Sequence, residues 1–382
     1  MADETLKIND VVLSLERPGS GAHGLRGWDA ADELLLEQAL TFLAQREQQR
    51  VLIIDDQFGA LSLGLSDFSP VNLADSATLL SALMLNATPD RPISKPGSWL
   101  EPPREDFDLV VMRIPRQTDY LVWLLRWVNQ MLDPGGFIVA GGMIKHLPDR
   151  SAQVFDELVS TRTVCPARKK ARVVLAQPGS QTLEGWRDQW RGYSLPDTGV
   201  QVDGLPAVFS RRKLDIGTRV LLPFVGQAAA GLAQGSRVLD LACGNGALGL
   251  AALVQNPGLD ITFSDVSSQA MLSARRNVEG SFPESQAEFV HCDGWQRVGA
   301  GFDLILLNPP FHEGSAVGDR IALTLFEQAA AALAPGGRLL MVGNRHLGYH
   351  RSLKQAFSGV AQLASTPKFV VFEAHHQGAG RS

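Results

Sequence analysis

Short apolar runs alternate along the chain with stretches whose apolar residues recur at helical spacing. Val51–Ile54, Phe107–Val111 and Phe137–Ala140 are rich in β-branched and aromatic residues, and they predict buried strands. Asp32–Leu43 and Ile321–Leu333 carry the helical period instead. The same order of segments is then written a second time. Val238-Leu239 leads into a glycine loop, and Phe302–Leu307 ends at Asn308-Pro309-Pro310 much as the earlier strand ends at Ile114-Pro115. Ala334-Pro335-Gly336-Gly337 matches Asp133-Pro134-Gly135-Gly136, and each half closes on an apolar strand, Ala171–Ala176 and Phe369–Phe372. Such self-similarity marks an internal duplication. Alternating strands and helices predict parallel sheets with helices on both faces. The expected class is α/β, with two tandem Rossmann-like domains at residues 1–176 and 201–382. A linker is expected at 177–200, which is rich in Pro, Gly, Trp and charge.

Composition narrows the class. The 382 residues are enough for two cores, and no apolar run reaches the roughly eighteen residues that a membrane helix needs. The first twenty residues mix acids and bases, so no secretory signal is expected. Cys165, Cys243 and Cys292 are odd in number and lack metal-like spacing, which predicts neither a disulfide framework nor a metal site and fits a reducing cytoplasm. Net charge is −5, and the imbalance lies in residues 1–200, where 20 basic face 26 acidic side chains. A nucleic acid would therefore have to be held by local patches. Candidates are Arg168, Lys169, Lys170 and Arg172, then Arg211 to Lys213, then Arg345 to Lys354. For any single cluster the plain alternative is a solvated face.

Candidate chemistry sits in the second repeat. Arg237–Gly249 reads as a strand, a glycine turn and a helix start, with Asp240 at the strand end and Gly244 and Gly246 in the turn. Glycines there let the backbone approach a ligand closely. Asp240 would order the loop or meet a cationic amine. The next strand ends in Asp265, a carboxylate suited to both ribose hydroxyls, and the third in Asp293-Gly294, suited to an adenine amino group. A lone glycine loop could equally serve a dinucleotide or be only a tight turn. The pattern Asp-x-Ala-Cys-Gly-Asn-Gly departs from the dinucleotide fingerprint, and with the three spaced carboxylates it fits S-adenosylmethionine better. The first half has Gln57 and Gly59 where the second has Gly244 and Gly246, so it is expected to lack cofactor binding.

Asn308-Pro309-Pro310-Phe311 follows the fourth strand, at the sheet end where ligands bind in open α/β folds. An exocyclic purine amine is a poor nucleophile, since its lone pair is delocalised into the ring. The Asn308 side-chain carbonyl and the Pro309 backbone carbonyl can accept its two N–H bonds and hold the nitrogen towards a methyl sulfonium. The prolines stiffen the turn, and Phe311 can stack on a base. The bland alternative is a rigid proline turn with a core phenylalanine.

Three segments carry a family resemblance: Val208–Gly217, the Cys243–Gly246 loop, and Asn308–His312. On them the chain resembles the bacterial ribosomal RNA guanine-N2 methyltransferases, duplicated methyltransferase-fold proteins with one active half. Gly27–Glu33, Asp56–Leu61, Lys169–Arg172, Asn344–Tyr349 and Pro367–Phe372 point to the branch acting on 23S rRNA. The resemblance implies a cofactor site at Asp240, Ala242, Cys243, Gly244, Asn245, Gly246, Asp265, Val266, Asp293 and Gly294. It implies catalysis at Asn308, Pro309, Pro310 and Phe311. The segment ending Phe209-Ser210-Arg211 is expected to cover the cofactor and guide the base, and Arg168, Lys169, Lys170, Arg172, Arg345 and Lys368 are candidates for RNA phosphates. Ala242 departs from the commoner glycine. A monomer using S-adenosylmethionine on rRNA, without metal or membrane, is expected. The rival readings are the corresponding methylation of 16S rRNA, methylation of a glutamine or small-molecule amine, and a non-catalytic RNA chaperone.

Overall fold

A computed structural model describes residues 5–18, 26–47, 49–296, 301–310 and 316–376, with the side chains of 316–319 left out. The chain divides into two compact units, Met1–Gln189 and Trp190–Ser382.

The first unit opens on a hairpin, β1 (Thr5–Ile8) and β2 (Val11–Ser14), and continues with α1 (Ala30–Leu43), β3 (Val51–Ile54), α2 (Ala60–Gly64), β4 (Val71–Leu73) and α3 (Thr78–Asn86). It closes with β5 (Phe107–Arg113), α4 (Thr118–Met131), β6 (Leu132–Met143), α5 (Ser151–Leu158), β7 (Ser160–Val164) and β8 (Ala171–Gln177). Its sheet runs β4-β3-β5-β6-β8-β7. Leu35 and Ala39 of α1 pack with Ile53, Val111, Val139 and Val173 in one core. Trp99 sits edge-on to Trp123 and Trp127, with ring centroids 4.6 and 5.0 Å away, an arrangement that suits the aromatic quadrupoles.

The second unit carries β9 (Arg191–Ser194), β10 (Gln201–Gly204), α6 (Ile216–Ala230), β11 (Arg237–Leu241), α7 (Ala247–Gln255), β12 (Asp260–Asp265), α8 (Ser268–Ser281) and β13 (Gln286–His291). Then come β14 (Phe302–Leu307), α9 (Ala316–Ala332), β15 (Leu333–Asn344), α10 (Tyr349–Ala356), β16 (Gly359–Ser365) and β17 (Phe369–His375). The sheet order is β13-β12-β11-β14-β15-β17-β16. Leu304 to Leu307 are fully buried, as a central strand covered on both faces requires.

Both sheets are mixed, where wholly parallel ones were expected. β8 and β17 run antiparallel to β6 and β15, and each pairs with the strand just before it, β7 or β16. A short connection such as residues 366–368 can join only antiparallel neighbours; a parallel pair needs a crossover of a dozen residues or more. The two sheets share one order except at an edge. Where the second unit has β13, the first shows a single parallel bridge, Leu73 with Gly97.

The stretch 177–200, expected as a linker, is largely folded into the units on either side of the boundary. Asn129 accepts from the Gly179 N–H at 2.9 Å and donates to the Gln181 carbonyl at 2.8 Å. Past the boundary, β9 pairs with β10. No described helix is long and apolar enough to cross a membrane.

Candidate active site

In the second unit the chain passes from β11 to β12 on one side and then crosses to β14 on the other. That reversal opens a crevice beyond the carboxyl ends of β11 and β14. The register pairs Leu241 with Leu307, so Ala242 and Asn308 leave the sheet side by side.

The loop after β11 is built from left-handed backbone. Ala242, Gly244 and Gly246 have φ of 56°, 56° and 82°. A Cβ on Gly244 would meet nothing within 4 Å, so this glycine faces open space. Gly246 caps α7, and a Cβ there would press on Phe263 and Ala274 at 3.2 and 3.3 Å. Asp240 is fully buried and its Oδ2 accepts the Gly249 N–H at 2.8 Å. That bond reaches the first turn of α7, while Oδ1 of the same carboxyl is buried with no partner among the described residues. Burial pushes its pKa well up, and the Asp265 charge adds to that despite the Gly249 bond. Cys243 is buried, and burial followed by the charges of Asp240 and Asp265 raises its thiol well above the ordinary range. A thiol held protonated is no nucleophile.

Asp265 closes the loop from β12. Its Oδ2 accepts the Gly244 N–H at 2.8 Å and its Oδ1 the Ser267 N–H at 2.9 Å. The Val266 carbonyl meets His291 Nε2 at 2.9 Å, and Cys292 N–H donates to the Asp265 carbonyl, which sets Asp293 beside this strand tip. Burial raises the Asp293 carboxyl. Gly294, at φ 71°, leaves room for Gln328, whose Oε1 accepts the Trp295 N–H at 2.9 Å.

Asn308 is held by residues the sequence reading passed over. Its Nδ2 donates to Thr218 Oγ1 at 2.9 Å and to Asp215 Oδ2 at 3.3 Å. Asp215 is the N-cap of α6 and also accepts the Thr218 N–H at 2.9 Å. The other end of the amide, Oδ1, is buried and has no partner among the described residues. A buried carbonyl without a donor is costly, so it calls for an explanation. Pro309 is buried and Pro310 exposed, while Phe311 lies outside the described residues. Tyr193 was also missed. Its hydroxyl lies 3.3 Å from Asn245 Nδ2, and burial pushes it up to about 12. Asn277 ties the Asn245 carbonyl at 2.9 Å. A cue existed for Asp215 alone, an N-cap residue just before an apolar helical run.

The candidate RNA contacts divide. Phe209 is 61% exposed, whereas Arg211 is 6% exposed with its Nε donating to the Gly204 carbonyl. Arg168 pairs with Glu37 and Lys169 with Glu33, while Lys170 and Arg172 are exposed. Arg345 donates to Ser365 Oγ at 2.6 Å, and Lys368 lies over the Phe369 ring.

The first unit has a loop of similar shape with different side chains. Sheet register and the helix cap align Asp55, Gln57, Gly59 and Ala74 with Ala242, Gly244, Gly246 and Asp265. Asp55 and Gly59 keep positive φ, but Gln57 replaces the open glycine and Ala74 the carboxylate. Asp56 takes over helix anchoring, its Oδ2 accepting the Ser62 N–H at 2.8 Å.

A glycine loop on the first parallel strand, a carboxylate on the second and Asn-Pro-Pro on the fourth, on a sheet closed by antiparallel strands, define a methyltransferase that uses S-adenosylmethionine. The family model "Methyltransferase small domain" matches residues 199–373, and "RLMG N-terminal domain" matches residues 3–180. Ribosomal RNA large subunit methyltransferase G of Alcanivorax borkumensis is 38% identical over 94% of both chains. The protein of that name from Pseudomonas aeruginosa is 37% identical over 94% of this chain and 96% of its own. Among solved structures, the T. thermophilus 16S rRNA N2 guanine methyltransferase (RsmC), in complex with AdoMet and guanosine, has a TM-score of 0.77 and 26% identity, covering 98% of this chain and 97% of its own. The chain belongs to the ribosomal RNA large subunit methyltransferase G family.

Proposed function

We propose that the second unit binds S-adenosylmethionine beside the 240–246 loop and methylates the exocyclic N2 of a guanine in 23S rRNA. The observation that carries this reading is the buried, unpartnered Oδ1 of Asn308, an acceptor in search of an N–H. The residues present suit the donor. Gly244 opens onto free space, Asp265 offers a carboxylate whose oxygens accept more than one donor, and Asp293 adds a second acceptor at the neighbouring strand tip. Bound S-adenosylmethionine supplies an electrophilic methyl; transfer makes an N–CH3 bond, breaks the S–CH3 bond with its electron pair left on sulfur, and releases one N2 proton to solvent. Asn308 Oδ1 and the Pro309 carbonyl accept the amine hydrogens and favour a pyramidal nitrogen as positive charge builds. The target base is presented unpaired or flipped.

The choice of large-subunit RNA follows the names of relatives aligned over 94% of the chain. Guanosine as substrate follows the structural relative's ligand. The first unit is a degenerate copy of the second that docks RNA and stabilises the fold, and Lys170 and Arg172 are its exposed cations for phosphate. The protein acts as a cytoplasmic monomer. Tritium transfer from labelled donor to deproteinised 23S and 16S rRNA tests the whole reading. Label in 23S rRNA, mapped to N2-methylguanine by mass spectrometry, is expected; label in 16S rRNA alone would move the target, and label in neither would defeat the proposal.

A further inference from the structure

We propose that Asp215 and Thr218 are positioning residues that lock the Asn308 amide with its carbonyl facing the substrate nitrogen. The inference rests on the reading of Asn308 given above. A carboxamide has two nearly isosteric ends, one accepting and one donating. Turned the wrong way, Asn308 would aim a donor at an amine that is itself a donor. Nothing in β14 chooses between the two orientations. Asp215 does, because its Oδ2 already accepts the Thr218 N–H, so the end of Asn308 that faces this oxygen has to be the NH2. Thr218 Oγ1 takes the second amide hydrogen at 2.9 Å. A threonine hydroxyl would serve either orientation, so it holds the group without selecting it.

The first unit shows that the arrangement belongs to the scaffold. There the N-cap of α1 is Asp29, the third helical residue is Asp32, and the strand-end residue is Arg113. These are the positions of Asp215, Thr218 and Asn308. Arg113 donates to both oxygens of Asp29, at 2.9 and 2.8 Å, and also to Asp32. Burial works against the Arg113 charge, yet the two carboxylates outweigh it and raise its pKa further. One geometry, a helix N-cap gripping the tip of a neighbouring strand, therefore serves two ends. In the first unit it seats a guanidinium, and in the second it holds an amide that keeps an acceptor unspent.

The test compares Asp215→Ser with Asp215→Asn and with Asp215→Ala. Serine caps a helix about as well as aspartate, so Asp215→Ser should melt within about 2 °C of wild type and bind S-adenosylmethionine within twofold. Its shorter hydroxyl leaves the Asn308 amide to Thr218, which holds either end, so kcat on 23S rRNA should fall by about tenfold or more at unchanged KM for the donor. Asp215→Asn should keep most of kcat, because the Thr218 N–H and the Asn308 NH2 share one oxygen of Asp215, and an amide that caps α6 presents an oxygen there too. Asp215→Ala should lose both Tm and kcat. A wild-type kcat in Asp215→Ser, or a loss in Asp215→Asn as deep as in Asp215→Ser, would overturn the lock. A readout independent of activity is the Asn308 side-chain NH2 signal, assigned by its loss in Asn308→Ala. Slow hydrogen exchange in wild type that becomes fast in Asp215→Ser is expected, and equal exchange overturns the lock. If wild type methylates neither rRNA, the substrate reading has failed and this exchange alone decides the lock.

Discussion

The Gly244 N–H donates to Asp265 Oδ2 at 2.8 Å, so the loop after the first parallel strand is tied to the tip of the second. Both members of that pair are missing from the first unit, where Gln57 and Ala74 stand in their places. One donor molecule per chain is therefore expected. Calorimetry with S-adenosylmethionine on the full chain should give a stoichiometry near one, and a value near two would mean that the first unit still binds.

Asn308→Ala removes the unpartnered acceptor and leaves the loop untouched. Turnover should drop by about 100-fold, in line with losing one preorganised polar contact to a developing charge. Affinity for the methyl donor should stay within about threefold by the same reasoning, since only the amine contact is lost. A matching loss of donor affinity would assign Asn308 to cofactor binding instead.

Ala242 is strained at φ 56°, a left-handed conformation that costs a residue with a Cβ and is free to glycine. The strain is worth about 1–2 kcal/mol, and glycine's greater freedom in the unfolded chain takes back about 0.5–1 kcal/mol. Ala242→Gly should thus raise Tm by about 1–3 °C with unchanged donor affinity. Scanning calorimetry checks this, and a lower Tm would show that the Ala242 methyl has a packing role outweighing the strain.

Asp55 in the first unit is half-buried, and desolvation followed by the Asp75 charge pushes its carboxyl up to about 7, against bonds from the Asp75 N–H and the Tyr120 hydroxyl. The sign follows from proton counting. Between roughly pH 4, where an unfolded aspartate ionises, and about 7, the folded chain keeps a proton that the unfolded chain has lost. Stability should therefore decline as pH rises through that window, by at most about 1.4 kcal/mol per pH unit for this one group. Asp55→Asn should flatten the decline, and asparagine tolerates the φ of 56°. Urea unfolding followed by circular dichroism at pH 5 and 7.5 tests it; an equal slope in the variant would place the proton elsewhere.

What the sequence made legible was local. Gly244, Gly246 and Asn308-Pro309-Pro310 announce themselves because their chemistry needs neighbours along the chain. Asp215 and Thr218 did not, since the partner they hold is 93 and 90 residues away and an N-cap aspartate looks like any other. The antiparallel closing strands escaped notice for a related reason. An apolar run such as Phe369–Phe372 carries no mark of its direction, which comes instead from the brief turn before it. The hairpin of β1 and β2 was likewise unread, although Leu6, Val11 and Leu13 bury into the first core.

Trp99, Trp123 and Trp127 all lie within Met1–Gln189, with rings in direct contact. Indoles this close couple optically, so the chain carries a built-in fluorescent label for its first unit. A melt read only by tryptophan emission would be weighted towards that half. Paired with an activity-loss curve, the same trace would reveal which unit gives way first.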